Sequence, residues 1–161
     1  MALADILVTL AAADVEYIVV GGMAAVLRGA PVTTRDIDVV YARTSANIER
    51  LGRALEALDA RFRDDPRGIR PNESHLASAG HKLLLTRFGP LDVLGSIEDG
   101  TTYDDLVPHA SKLPVAGVEV LVLGLDRLIE VKQKLGRPKD RLMLLELESL
   151  RDELRRRGER P

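Results

Sequence analysis

Apolar residues recur along this chain with two periods, and the switches between them mark its elements. Leu3, Ile6, Leu7 and Leu10 fall at helical spacing and predict an amphipathic helix over residues 2–13. Residues 16–20 form a short β-branched run led by Tyr17, which reads as a strand. Residues 22–28 favour helix, and Gly29 with Pro31 ends it. A second strand follows over 37–41. Ser45 then caps a helix over 46–58 with Ile48, Leu51, Leu55 and Leu58 along one face.

The second half continues the alternation. Pro66, Gly68, Pro71, Asn72 and Gly80 mark residues 64–80 as a long loop, a type often functional in compact domains. His81 to Phe88 and Leu91 to Ile97 read as two strands joined at Gly89-Pro90 in a hairpin. A short helix covers 102–107, and 113–123 reads as one strand with a break at Gly117. From Leu125 the period is helical to about Arg157, interrupted at Gly136-Arg137-Pro138. The expected fold class is α/β (α+β): a mixed sheet flanked by helices, with a helical C-terminal third. One domain over 1–161 is expected, with a core over about 14–124 and C-terminal helices over about 125–157.

Composition narrows the classes without naming one. At 161 residues, 45% hydrophobic and 30% charged, the chain reads as an ordinary soluble globular protein with room for a core. A net charge of −2 makes no whole-chain electrostatic case for nucleic acid, and 3% aromatic residues leave few stacking platforms for single-stranded RNA. With no cysteine there is no disulfide framework, thiol nucleophile or cysteine zinc site. The start lacks a basic segment ahead of its apolar part, so no secretory signal is expected. No apolar stretch approaches the roughly 20 residues of a membrane span, and a cytoplasmic location is the expectation.

Chemistry concentrates in two places. The run Tyr17-Ile18-Val19-Val20-Gly21-Gly22 is a strand turning sharply into a helix, whose first backbone N–H groups suit a phosphate. Asp36 and Asp38 lie at alternate positions around the next strand and project from one side of it. Asp92 sits inside the apolar run Leu91-Asp92-Val93-Leu94, where a carboxylate is either exposed at a sheet edge or paired with charge or metal. Three aspartates on adjacent strands can hold two Mg²⁺ ions about 3.5–4 Å apart, needing no histidine or cysteine.

These residues resemble the nucleotidyltransferase fold of the DNA polymerase β superfamily in its minimal bacterial versions. Gly21-Gly22, Asp36, Asp38 and Asp92 occupy the positions of its glycine turn, Asp-x-Asp pair and third aspartate. The lead-in Thr33-Thr34-Arg35-Asp36-Ile37-Asp38 is similar to that of toxin-type, AbiEii-like members, and Lys132 with Arg137-Pro138-Lys139-Asp140 looks like their C-terminal basic motif. The resemblance covers roughly residues 16–142. It implies that Asp36 and Asp38 bind Mg²⁺ or Mn²⁺, that Asp92 ligates the second ion and accepts the acceptor's proton, and that Gly21-Gly22 seats the β- and γ-phosphates. Lys132, Arg137 and Lys139 are candidates for triphosphate or acceptor contacts, or else a solvated helix end. Arg35 holds a phosphate or pairs with Asp36 or Asp38.

The implied reaction moves a nucleoside monophosphate from an NTP to an acceptor hydroxyl on RNA (such as tRNA) or protein. The implied setting is the toxin of a toxin–antitoxin or phage-defence pair, with an antitoxin or a second copy as partner. Two departures stand out: Gly22 replaces a serine common in the family, and Met143 replaces an acidic residue of the AbiEii-like motif. A catalytically inactive protein of this fold, binding a nucleotide or a protein partner, is the alternative. A haloacid-dehalogenase reading fails because Ala30 to Arg35 make no strand leading into Asp36, and neither GxGxxG nor a P-loop is present. His75, His81 and His109 read as surface or loop residues.

Overall fold

Seven strands form one mixed sheet in the order β3-β4-β5-β2-β1-β7-β6. The structure is a computed structural model that describes residues 2–98 and 100–161, the side chain of Lys139 excepted. Helix α1 (Ala2–Ala12) buries Ile6, Leu7 and Leu10, the stripe its period predicts. Strand β1 (Tyr17–Val20) is buried along its whole length and passes directly into helix α2 (Gly21–Leu27). Strand β2 (Ile37–Tyr41) runs antiparallel to β1, with Val20 opposite Asp38. Helix α3 (Ser45–Ala57) follows. Its cap is Thr44, one residue before the expected Ser45, because the Thr44 hydroxyl accepts the Asn47 N–H.

Asn47 shows how α3 is fastened. Fully buried, it accepts from the Glu16 N–H at 2.7 Å and donates to Glu16 O at 3.0 Å and Ala42 O at 2.7 Å. A buried amide is tolerated because its donors and acceptor are used. The segment read as a long loop contains more order than its Pro and Gly content indicated. Strand β3 (Arg61–Phe62) precedes it, and helix α4 (Glu73–Ala77) lies within it. Asn72 starts that helix by a reciprocal cap, its side chain accepting from the His75 N–H while His75 Nδ1 faces the Asn72 N–H at 3.0 Å.

Strands β4 (His81–Thr86) and β5 (Gly89–Leu94) make the expected antiparallel hairpin. Its turn lies at Arg87-Phe88, two residues before the expected Gly89-Pro90, and both of those residues enter the strand. After helix α5 (Tyr103–Leu106) comes a correction. The stretch read as one strand over 113–123 is a hairpin of β6 (Ala110–Val115) and β7 (Val118–Leu123). Ala116 and Gly117 turn it with φ of 50° and 85°, the two positive values that a type I′ turn requires. Strand β7 pairs parallel to β1, and β2 pairs parallel to β5.

Helix α6 (Leu125–Leu135) ends at Gly136, whose φ of 59° supplies a left-handed cap. Helix α7 (Pro138–Arg156) starts on Pro138, where a missing N–H costs nothing. Leu125, Leu128 and Ile129 join the core, whereas Leu135, Leu142 and Leu145 are exposed. Among the described residues no helix is long and apolar enough to cross a membrane.

Candidate active site

Strand register builds the acidic centre. In the parallel pair β2–β5, Asp38 lies opposite Asp92, flanked by Ile37 opposite Leu91 and Val39 opposite Val93. Those four neighbours are fully buried, so alternation sends both carboxylates to the other face together. Asp36, just before β2, has the same parity as Asp38. One carboxylate oxygen from each of Asp36, Asp38 and Asp92 lies within 4.8 Å of the others. The sheet-edge alternative for Asp92 is excluded, since β5 sits between β4 and β2.

Each carboxylate is held differently. Thr34 Oγ1 donates to Asp36 O at 3.1 Å and to Asp36 Oδ1 at 3.3 Å. Arg63 Nη1 donates to Asp92 Oδ1 at 3.0 Å and to Leu84 O at 3.0 Å, so the guanidinium is anchored to β4 while it pairs with Asp92. Asp38 has the most strained electrostatics. Burial first, then repulsion by and hydrogen bonding to Asp92, then repulsion by Asp36, push its carboxyl up to about 7, with Lys132 opposing them. Three crowded, oxygen-only ligands of this kind fit a hard divalent cation, which would relieve the repulsion.

Gly21 and Gly22 face this centre for steric reasons. Gly21 has φ of 64°, and a Cβ there would run into the Asp38 carboxylate. A Cβ on Gly22 would come within 3.1 Å of Thr34 Oγ1, so a serine at this position would crowd Thr34. The bare Gly22 thus leaves room for the Thr34 hydroxyl beside it.

A cavity of about 500 Å³ opens over the centre and is lined by Gly21, Gly22, Asp38, Asp92, Lys132 and Arg137 together with apolar side chains. Lys132 and Arg137 come to it from the junction of α6 and α7. Asp140 binds both there: Lys132 Nζ donates to Oδ1 at 3.1 Å and Arg137 Nε to Oδ2 at 2.6 Å. These donors, Arg137 foremost, hold the Asp140 carboxyl below the usual carboxylate range. Arg35 is exposed, lies outside the lining of this cavity, and forms no ion pair or side-chain hydrogen bond among the described residues. Lys139, the remaining candidate, has its side chain outside the described residues.

Sequence reasoning missed Arg63, the anchoring role of Asp140, and His81, which lines the cavity with its Nε2 3.1 Å from Ser96 O. Asp140 stood in the basic motif and was readable as the counter-ion its cations need. Arg63 carried no signal, because only the β3–β4 pairing brings it to Asp92. His75 serves as the α4 cap, and its ring meets Phe62 edge-on.

No protein-family profile and no curated protein matches the chain. Solved structures do match. The lincosamide antibiotic adenylyltransferase LnuA, solved with lincomycin bound, aligns over 92% of this chain and 96% of its own at 14% identity, with a TM-score of 0.63. TM1012 of Thermotoga maritima, assigned as a nucleotidyltransferase, aligns over 94% and 89% at 21% identity and 0.56. ANT(2")-Ia in complex with adenylyl-2"-tobramycin aligns over 95% and 94% at 16% identity and 0.55. Such identities establish a shared architecture: the chain has the nucleotidyltransferase fold.

Proposed function

We propose that this protein is a metal-dependent nucleotidyltransferase that moves a nucleoside monophosphate from an NTP to an acceptor hydroxyl, releasing pyrophosphate. The carrying observation is the convergence of Asp36, Asp38 and Asp92 within 4.8 Å beside the Gly21-Gly22 turn. In this reading the three carboxylates hold Mg²⁺ or Mn²⁺, which when bound neutralises charge on the triphosphate. The backbone of Gly21-Gly22 seats the β- and γ-phosphates. Lys132 and Arg137, fixed by Asp140, contact the triphosphate from the α6–α7 junction, and Lys139 and Arg35 are further candidates for the same task. The acceptor oxygen attacks the α-phosphorus, the bond to the bridging oxygen of the β-phosphate breaks, and the acceptor's proton passes to Asp92. Arg63 keeps the Asp92 carboxylate in position for that transfer.

Two readings of the acceptor differ in their support. The Thr33–Asp38 lead-in and the Lys132–Asp140 motif favour a toxin-type enzyme acting on RNA or protein, with an antitoxin or a second copy as partner. The half-open cavity of about 500 Å³, with an apolar wall beside the groups assigned to the triphosphate, favours a small hydroxylic molecule. Scarce aromatics and a net charge of −2 weigh against RNA, and the small acceptor is the better supported.

The test incubates the protein with each α-labelled NTP, Mg²⁺ or Mn²⁺, and total RNA, protein or a small-molecule extract. Label transfer is expected, falling at least about a hundredfold in Asp38→Asn with circular dichroism unchanged, the scale of losing one preorganised charge. Nucleotide binding without transfer to any acceptor class would instead establish the inactive, binding-only alternative.

A further inference from the structure

Away from the two carboxylates Asp38 and Asp92, the two cations, and the side chains of His81 and Glu98, the described cavity wall is apolar. Helix α6 contributes Leu128, Val131 and Leu135, spaced as one stripe of a helix, and Leu94 and Ile97 face them from β5 and the loop after it. Among the described residues one further charged group stands in this wall, Glu98, which pairs with Lys134. Its side chain is 9% exposed, both oxygens are buried without a hydrogen bond, and Lys134 Nζ lies 3.4 Å away as an ion-pair partner. Among the described residues no Phe, Tyr or Trp lines the cavity, and the imidazole of His81 is the one aromatic ring in its wall. An aliphatic wall continuous with Asp92 fits the body of the molecule whose hydroxyl is presented to that carboxylate.

We propose that the acceptor is a small uncharged alcohol with a compact apolar body, packed against the Leu128–Val131–Leu135 stripe of α6 with its hydroxyl directed to Asp92. The assignment rests on the nucleotidyltransferase reading and names the substrate class for it. A polycation or a polynucleotide would leave this wall unused and would desolvate its own charges against it.

Ligand-observed NMR on the intact protein tests this without requiring turnover, so its outcome is separable from that of the transfer assay. The probes are 1-butanol, 1-pentanol, 1-hexanol and cyclohexylmethanol, with glycerol and tobramycin as polar controls. Affinity is expected to rise about fourfold for each added methylene from butanol to hexanol. Binding of hexanol should persist with a saturating non-hydrolysable NTP and Mg²⁺. Leu135→Gln, at a position 45% exposed, should weaken it at least about threefold with the melting temperature nearly unchanged, and Val131→Gln, at a position packed partly on the core, should weaken it likewise with a lower melting temperature. Affinity independent of chain length, or unaffected by either variant, overturns the proposal. So does displacement of hexanol by the nucleotide, which would make the wall a base or ribose site, or tighter binding of tobramycin than of hexanol.

Discussion

Asp38 carries the sharpest consequence of placing three carboxylates around one point. Its carboxyl is pushed up to about 7, mainly by burial and then by Asp92, so the folded protein holds that proton more tightly than the unfolded chain does. The contribution of Asp38 to stability is therefore fully present below the ordinary carboxylate range and is lost as pH rises through about 7. A divalent cation opposes this by stabilising the ionised form. In EDTA, the melting temperature of the wild type relative to Asp38→Asn should fall between pH 5 and pH 8. Added Mg²⁺ should raise the wild-type value more at pH 8 than at pH 5, and should raise the variant's little at either. Differential scanning calorimetry checks both, and an equal Mg²⁺ effect at the two pH values would contradict the placement of the ion. The sequence displayed these aspartates and their apolar flanks. It could not display that Asp38 and Asp92 are direct cross-strand partners, because register is a property of two strands.

Among the elements, the α6–α7 junction shows local signals and long-range pairing at work together. Gly136 and Pro138 announce the break, and the structure places it there, since one residue takes the left-handed cap and the other a first-turn position. What the break accomplishes depends on Asp140, whose side chain is 5% exposed and holds Lys132 from one helix and Arg137 from the connecting turn. Removing the shared counter-ion leaves two cations crowded. Because both retain solvent access, Asp140→Ala should cost about 1–3 kcal/mol, below the value for a fully buried pair. Urea unfolding measures this, and in the transfer assay the KM for NTP should rise by a larger factor than kcat falls. The hairpin β6–β7 was read as one strand because its turn opens on Ala116, a residue that rarely takes positive φ. Helix α4 was hidden for the opposite reason, being a short capped turn inside a segment whose Pro and Gly content signals loop.

Across the molecule, one arginine ties the glycine-turn helix to the hairpin preceding α6. Arg28, just past α2, donates through Nη2 to Val122 O at 2.6 Å and to Ser111 Oγ at 2.7 Å, and through Nε to Leu123 O at 3.2 Å. It thereby links α2, which begins at the acidic centre, to β6 and to the end of β7, the strand that leads into α6. Arg28→Ala should lower stability by about 1–3 kcal/mol, the scale of losing charge-assisted bonds to backbone carbonyls. Arg28→Lys should restore only part of that, because an ammonium cannot reproduce the planar fork. Hydrogen exchange localises the effect: faster exchange in β7 and the first turn of α6 is expected in Arg28→Ala, and uniform acceleration would deny the link.

By itself the amino-acid order determined the helical and strand periods, the glycine turn after β1, the break at Gly136, and which carboxylates were candidates for chemistry. These follow from side-chain period, backbone freedom and the cost of burying charge, all of which act over a few neighbouring residues. Only the tertiary structure decided that Asp92 faces Asp38, that Arg63 anchors it, that Asp140 holds Lys132 and Arg137 at the cavity, and that an apolar wall adjoins the centre. Those outcomes join groups between three and more than fifty positions apart. For the distant ones, whether they meet is set by how strands align and helices dock.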